Sequence, residues 1–209
     1  MKNTIKLIGI IALVTVIGFS MTACGDDDNG GGSGGGGGNP DTSPIFTSID
    51  ALGTYLSEQE ENTAATPYKV RLNVSDLDGI STMLKANSNK YVSLDLSGST
   101  LTSIGYQAFM DCTSLVGIII PNSVTSIEQS AFYQCTSLTS VTIPASVTST
   151  GQAVFADCIS LTSVTFQGTI TYFGTYAFYN VGDLQDKYAA GGMGTYTRPN
   201  TTSTTWTKQ

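Results

Sequence analysis

One phrase is written four times in this chain, at a fixed step of 23 residues. It runs Leu, two spacers, aliphatic, spacer, aliphatic, a turn, aliphatic, two spacers, aliphatic, then Ala-Phe or Val-Phe and a Cys three residues later. Its Phe falls at Phe109, Phe132, Phe155 and Phe178, and its Cys at Cys112, Cys135 and Cys158. Leu115, Leu138, Leu161 and Leu184 keep the same step. A fixed period in the twenties means a solenoid: each unit is one coil, too small to bury its own apolar face, and a core exists only once coils stack. The expected fold class is an α/β solenoid: about four 23-residue coils over 91–183, with a parallel sheet on one face and an α/β N-terminal cap. Such a stack offers a surface rather than an enclosed cleft.

Alternation places one strand per coil, near Val92–Ser97, Val116–Ile120, Thr139–Ile143 and Thr162–Phe166. Pro121 and Pro144 end two of these strands, where a missing N–H is harmless. The first coil carries one extra residue between Leu96 and Leu101, so its turn is expected to bulge. A second, shorter extended piece holds Leu101/Ile104, Val124/Ile127, Val147/Thr150 and Ile170/Phe173. Gly105, Gly151 and Gly174 share one turn position, which predicts φ > 0 there and strain at Glu128, the fourth occupant.

Rungs about 4.8 Å apart would line the four Phe rings into a column. Cys112, Cys135 and Cys158 form a second column, with Val181 in the fourth place. Where Val serves, the thiol is acting as a small hydrophobe, which favours buried free Cys over metal or redox chemistry. Adjacent rungs are close enough for a disulfide, but three is odd, so at least one thiol stays free unless it pairs elsewhere.

Residues 44–90 read as a cap, since the first coil would otherwise expose an apolar end and an unpaired strand edge. Thr47 or Ser48 caps a helix running to about Glu58, with Asp50 in its first turn. Asn62–Pro67 is a loop, and Val70, Leu72 and Val74 alternate as a strand. Ser75 looks like the cap of a second helix, buried through Leu77, Ile80, Met83 and Leu84, with Asp76 and Asp78 near its positive end. Over 184–209 the pattern fails, leaving either a C-terminal cap that adds a strand or a loose tail.

Charge excludes some functions. The formal net charge is −7, and no Lys or Arg occurs from Tyr91 to Asp186. Nucleic-acid binding needs cation–phosphate contacts that these repeats lack, and acidic polysaccharide is excluded for the same reason. The chain has no His. Asp111 and Asp157 share a register with Gln134 and Asn180, so they mark a polar turn position rather than paired catalytic carboxylates. No catalytic, cofactor-binding or metal residue is expected, and the chain reads as a non-enzyme. The candidate ligand face is the outward row of the strands: Ser93, Asp95, Gly117, Ile119, Ser140, Thr142, Ser163 and Thr165. It is nearly neutral and rich in hydroxyls, suited either to binding or simply to soluble strands. Four or five short strands give roughly 300–400 Å², below the roughly 800 Å² per partner of a standard interface. Surface tyrosines such as Tyr106, Tyr133 and Tyr176 add apolar area.

The N-terminal end is of another kind. Basic residues precede an apolar, uncharged run from Leu7 to Met21, too short for an ordinary membrane-spanning helix and shaped like a secretory signal over 1–23. Its end, Met21-Thr22-Ala23-Cys24, resembles a bacterial lipobox, which makes Cys24 the expected lipid attachment site; the alternative is an ordinary signal peptide with an incidental Cys. Residues 24–43 continue as an acidic, then Gly-rich tether, with a mean reach of roughly 24 Å. The triplet Asp26-Asp27-Asp28 resembles the acidic signal of surface-exported lipoproteins, or else only adds solubility.

The unit from Cys135 to Val147 closely resembles the BspA-type leucine-rich repeat, and Cys112 to Ser126 nearly as closely. The flanks Asn73–Leu77 and Gly194–Pro199 resemble those of lipoproteins bearing such repeats. Departures are Thr150 for Ile, Val181 for Cys and Gln167 for Pro. The resemblance implies a monomeric lipoprotein anchored in the outer membrane and exposed on the cell surface. It implies adhesion or recognition, with a host-matrix, cell-surface protein or glycan as partner. The alternative is an envelope scaffold with no external ligand.

Overall fold

The computed structural model describes residues 42–209; the expected signal, Cys24 and most of the tether lie outside the described residues. The chain runs β1 (Ile45–Phe46), α1 (Ile49–Glu58), β2 (Tyr68–Leu72), α2 (Ile80–Ala86), β3 (Val92–Asp95), β4 (Ser103–Ile104), β5 (Leu115–Ile119) and β6 (Ser126–Ile127). It continues β7 (Ser140–Ile143), β8 (Ser149–Thr150), β9 (Ser163–Phe166), β10 (Tyr172–Phe173), α3 (Leu184–Gly191), β11 (Gly194–Thr197) and β12 (Thr207–Lys208). Two sheets result: one of eight strands, β1-β2-β3-β5-β7-β9-β11-β12, and one of four, β10-β8-β6-β4. All pairs within the coils are parallel, and only β11, against β9 and β12, is antiparallel. The longer strands β2, β3, β7 and β9 bury alternate residues, as at Val141 and Ile143 or Val164 and Phe166.

A third ladder crosses the turns that carry Ala-Phe. Phe109 donates its N–H to Ala131 C=O, Phe132 to Val154 and Phe155 to Ala177, at 2.8–2.9 Å. Asp111, Gln134 and Asp157 do the same toward Tyr133, Ala156 and Tyr179. Between these forward bonds the chain turns on itself, with Cys112 N–H bonding Phe109 C=O and Met110 N–H bonding Gln107 C=O. Aiming alternate amides out of the coil requires left-handed residues, and they come in two columns. One is Gln107, Ser130, Ala153 and Tyr176; the other is Asp111, Gln134, Asp157 and Asn180, with φ between 52° and 60°.

The four Phe rings stack nearly parallel, with centroids 5.2, 5.0 and 5.4 Å apart and interplanar angles of 2°, 6° and 13°. Cys112, Cys135 and Cys158 are free and buried. The Cys135 thiol donates to Phe109 C=O at 3.0 Å and the Cys158 thiol to Phe132 C=O at 3.1 Å. At the last coil aromatics replace aliphatics: Phe166 meets Phe178 edge-on at 6.2 Å and lies 4.5 Å from Tyr188 and 5.9 Å from Tyr196.

Two expectations need correction, and a third gains a detail. The second cap helix begins at Ile80, not after Ser75; Gly79 (φ 84°) stands at its start, and Asp76 instead accepts the Asp78 N–H within a preceding turn. Gly105, Gly151 and Gly174 do not have positive φ. At Gly151 and Gly174 the need is close approach: an added Cβ would lie 2.2 Å from Gln129 N and from Gly151 C. Glu128 is likewise free of positive φ, and its carboxylate accepts the Tyr106 N–H of the coil before at 3.0 Å. Finally, the extra residue of the first coil's turn has a counterpart that periodicity concealed. Val92 pairs with Leu115 and Ser93 with Gly117, so Val116 is bulged out of that ladder and both Leu115 and Val116 are buried. The turn itself reaches back to the cap: Ser99 is buried, its hydroxyl donating to Leu72 C=O at 2.6 Å and accepting the Val74 N–H at 3.1 Å.

At the N-terminal end Ser48 caps α1, its hydroxyl accepting the Ala51 N–H at 3.2 Å. Leu52, Leu56, Ile80 and Leu84 close the core there. At the C-terminal end α3, β11 and β12 form an ordered cover in which Tyr196 and Trp206 are buried. Arg198 donates from Nε to Leu161 C=O at 2.6 Å and from its terminal nitrogens to Ile159 C=O (2.7 Å) and Ser203 C=O (3.0 Å). Its guanidinium lies 5.4 Å from the Trp206 ring centroid, and Trp206 Nε1–H bonds Val181 C=O at 2.7 Å.

Candidate functional site

Strand register decides which outward residues become neighbours. One row reads Lys69, Ser93, Gly117, Ser140, Ser163, Thr197 across β2, β3, β5, β7, β9 and β11. The next reads Arg71, Asp95, Ile119, Thr142, Thr165, Thr195. All eight expected face residues therefore lie in two straight rows, and the structure adds Lys69 and Arg71 at one end and Thr195 and Thr197 at the other. Periodicity missed these four because they belong to the caps, outside the repeat; the alternation of β2 signalled the first two, and nothing short of the pairing signalled the others.

The face is not uniform. Ile119 is half exposed, an apolar spot among hydroxyls, and Ser140 is exposed while the other six are partly covered. Gly117 leaves room over Ser93: an added Cβ would stand 3.1 Å from its hydroxyl. Thr165 and Thr195 share a hydroxyl hydrogen bond of 2.9 Å, which stiffens that end. Asp95 turns one oxygen back to the Ser97 N–H at 2.8 Å. Where the strands end, Ile119, Thr142, Ser97 and Gln167 help line an open hollow of about 430 Å³. The eight-stranded sheet that carries these rows is roughly 34 Å wide at rung spacing and offers an outward face of about 500 Å², larger than the repeats alone provide.

The remaining named residues are interior. Phe109, Phe132 and Phe155 and the three cysteines are wholly buried, and Phe178 nearly so. Burial pushes the Cys112 and Cys158 thiols up to about 12, and Cys135 well above its ordinary value. These thiols are neutral in the folded chain at physiological pH and poor nucleophiles. Among the described residues no group of three or more His, Cys, Asp or Glu side chains is placed to hold a metal ion.

The family model for the BspA type leucine rich repeat region matches residues 82–192 in six copies. That span begins in α2 and ends just past α3, so both caps contribute to it. Among solved structures, the leucine-rich repeat protein of T. pallidum (TpLRR) is 28% identical with a TM-score of 0.44, over 69% of this chain and 63% of that one. The chain thus matches less than two thirds of that protein's length. No curated protein matches. Repeats of this type are typically non-enzymatic binding scaffolds. With more than half of its length matched by the family model, the chain belongs to the BspA-type leucine-rich repeat family, whose repeats suggest a capacity for protein–protein interaction.

Proposed function

We propose that this protein is a lipid-anchored binding protein of the bacterial outer surface, engaging proteins or glycans of a host or neighbouring cell through its outward strand face. The observation that carries the reading is the two-row face itself: six strands in register within an eight-stranded sheet, hydroxyl-rich, with exposed Ile119 beside a hollow. The anchor rests on the lipobox-like run ending at Cys24, and export on the acidic triplet that follows it. At roughly 500 Å² the face falls short of the roughly 800 Å² that each partner gives to a standard interface. Binding at one site is therefore weak, and many copies on one surface supply the strength.

A screen of the protein against matrix proteins and glycans tests this reading. Binding that is lost with Thr142→Arg and Thr165→Arg supports it, and binding unchanged by both clears the strand face of any role. The same small area favours a second reading, an envelope scaffold with no external ligand. Protease shaving of intact cells separates the two: a protected domain ends the surface reading.

A further inference from the structure

A second surface lies on the turns that carry the phenylalanines. There the positions one residue after each Phe are Met110, Tyr133, Ala156 and Tyr179, and the left-handed positions two before are Gln107, Ser130, Ala153 and Tyr176. The third coil alone has Ala at both. The result is a notch of about 290 Å³, floored by Ala153 and Ala156, walled by Tyr133, Tyr176 and Tyr179, and edged by Asp157. Tyr176 and Tyr179 are more than half exposed and meet edge to face at 5.7 Å. Tyr176 also holds φ 60°, a left-handed conformation that a bulky residue rarely adopts.

Charge decides what such a notch takes. Asp157 accepts the Asn180 side-chain N–H at 2.6 Å, and burial, followed by this carboxylate, pushes the Tyr133 hydroxyl above its ordinary value. Both partners are neutral. Asp111, at the same register, faces a cation: Lys85 Nζ at 3.6 Å. Asp157 has no cationic partner among the described residues, and the chain from Tyr91 to Asp186 supplies none. Tyr133 and Tyr179 are two rungs apart, about 10 Å, so a group seated between them lies about 5 Å from each. That is within the reach of about 6 Å over which a cation is held by an aromatic ring.

We infer that this notch is a binding site for a basic side chain, an arginine or lysine presented by a partner protein, gripped by Tyr133, Tyr176 and Tyr179 and neutralised by Asp157. The site rests on the proposed function only in that its partner is a protein. It is separate from the strand face, so Thr142→Arg leaves it open and the two readings fail independently.

The test titrates the full chain, held in detergent, with a blocked tri-arginine peptide, following the ring resonances of labelled tyrosine. Shifts are expected at Tyr133, Tyr176 and Tyr179, with affinity falling as salt rises. Tyr179→Ala and Asp157→Asn should each weaken binding by about two- to fivefold. An acidic chain attracts any cationic peptide, so a variant that leaves charge unchanged is decisive. Ala156→Met fills the notch with the side chain that Met110 already carries at this register, and should abolish the shifts while the fold persists. Equal binding of the tri-citrulline peptide or of a neutral methyl glucoside, or undiminished binding by Ala156→Met, would overturn the inference.

Discussion

Thr150 occupies a buried column otherwise held by Ile104, Ile127 and Phe173, and its hydroxyl has no hydrogen-bond partner. A buried hydroxyl left unpaired costs about 1–3 kcal/mol, so Thr150→Val, nearly isosteric, should stabilise the protein by about 1 kcal/mol. Urea unfolding reads it as a higher midpoint at unchanged slope; a lower midpoint would mean that a water or a shifted backbone satisfies the hydroxyl. The thiols give a prediction in pH. Their folded-state pKa values are raised, so the folded chain keeps protons that the unfolded chain releases. This contribution is fully present below the ordinary value of 9.0 and is lost as pH rises toward about 12. Val already stands at the equivalent position 181, so Cys158→Val is tolerated by the packing. Between pH 9 and pH 10 the wild type should lose up to about 1.4 kcal/mol more than this variant. Tyrosine titration is common to both proteins and cancels in the difference. Equal losses would show that Cys158 meets solvent.

Within one coil, the strand and the column of like side chains were legible in the sequence, because period and alternation depend only on residue type. The left-handed columns were not. Asp111, Asp157 and Asn180 tolerate such φ values and could have hinted at one of them, but Gln107, Ser130, Ala153 and Tyr176 carry no preference for it. Their conformation is imposed by the ladder that joins successive turns, a long-range cause that local sequence does not record. Glycine misled for the same reason: Gly151 and Gly174 are small because the coil before them is close, not because their φ is positive. The Phe column is where this stacking bears most directly on stability. Phe132 has a parallel ring at 5.2 Å on one side and 5.0 Å on the other. The ladders hold these neighbours two rungs apart, so they cannot close over a void. Phe132→Ala should therefore cost about 3–5 kcal/mol and Phe132→Leu distinctly less, both read from chemical denaturation. A loss below about 1 kcal/mol would mean that the coils collapse together, contrary to a rigid stack.

At the scale of the whole molecule, the two caps cover the apolar ends of the stack. The candidate face shows how far sequence reaches here: its central six strands' worth of alternation was visible in part, yet Thr195 and Thr197 enter only because β11 turns antiparallel onto β9. That strand also blocks the open parallel edge on which another chain could build. Arg198 holds it there. Its fork takes the Leu161 and Ile159 carbonyls while its own backbone N–H takes the Thr162 carbonyl, and burial lowers the guanidinium pKa without a carboxylate partner in compensation. Arg198→Ala leaves the Leu161 and Ile159 carbonyls unpaired and removes the contact with Trp206, which should cost about 2–4 kcal/mol. Arg198→Lys should recover little, since an ammonium cannot reproduce the planar fork. The further consequence is association. With β11 loosened, the β9 edge and the Phe166 cluster are free to pair with a second copy, so sedimentation should show Arg198→Ala self-associating under conditions where the wild type is monomeric. An unfolding midpoint reduced without any oligomer would mean that β11 contributes stability but does not guard the edge.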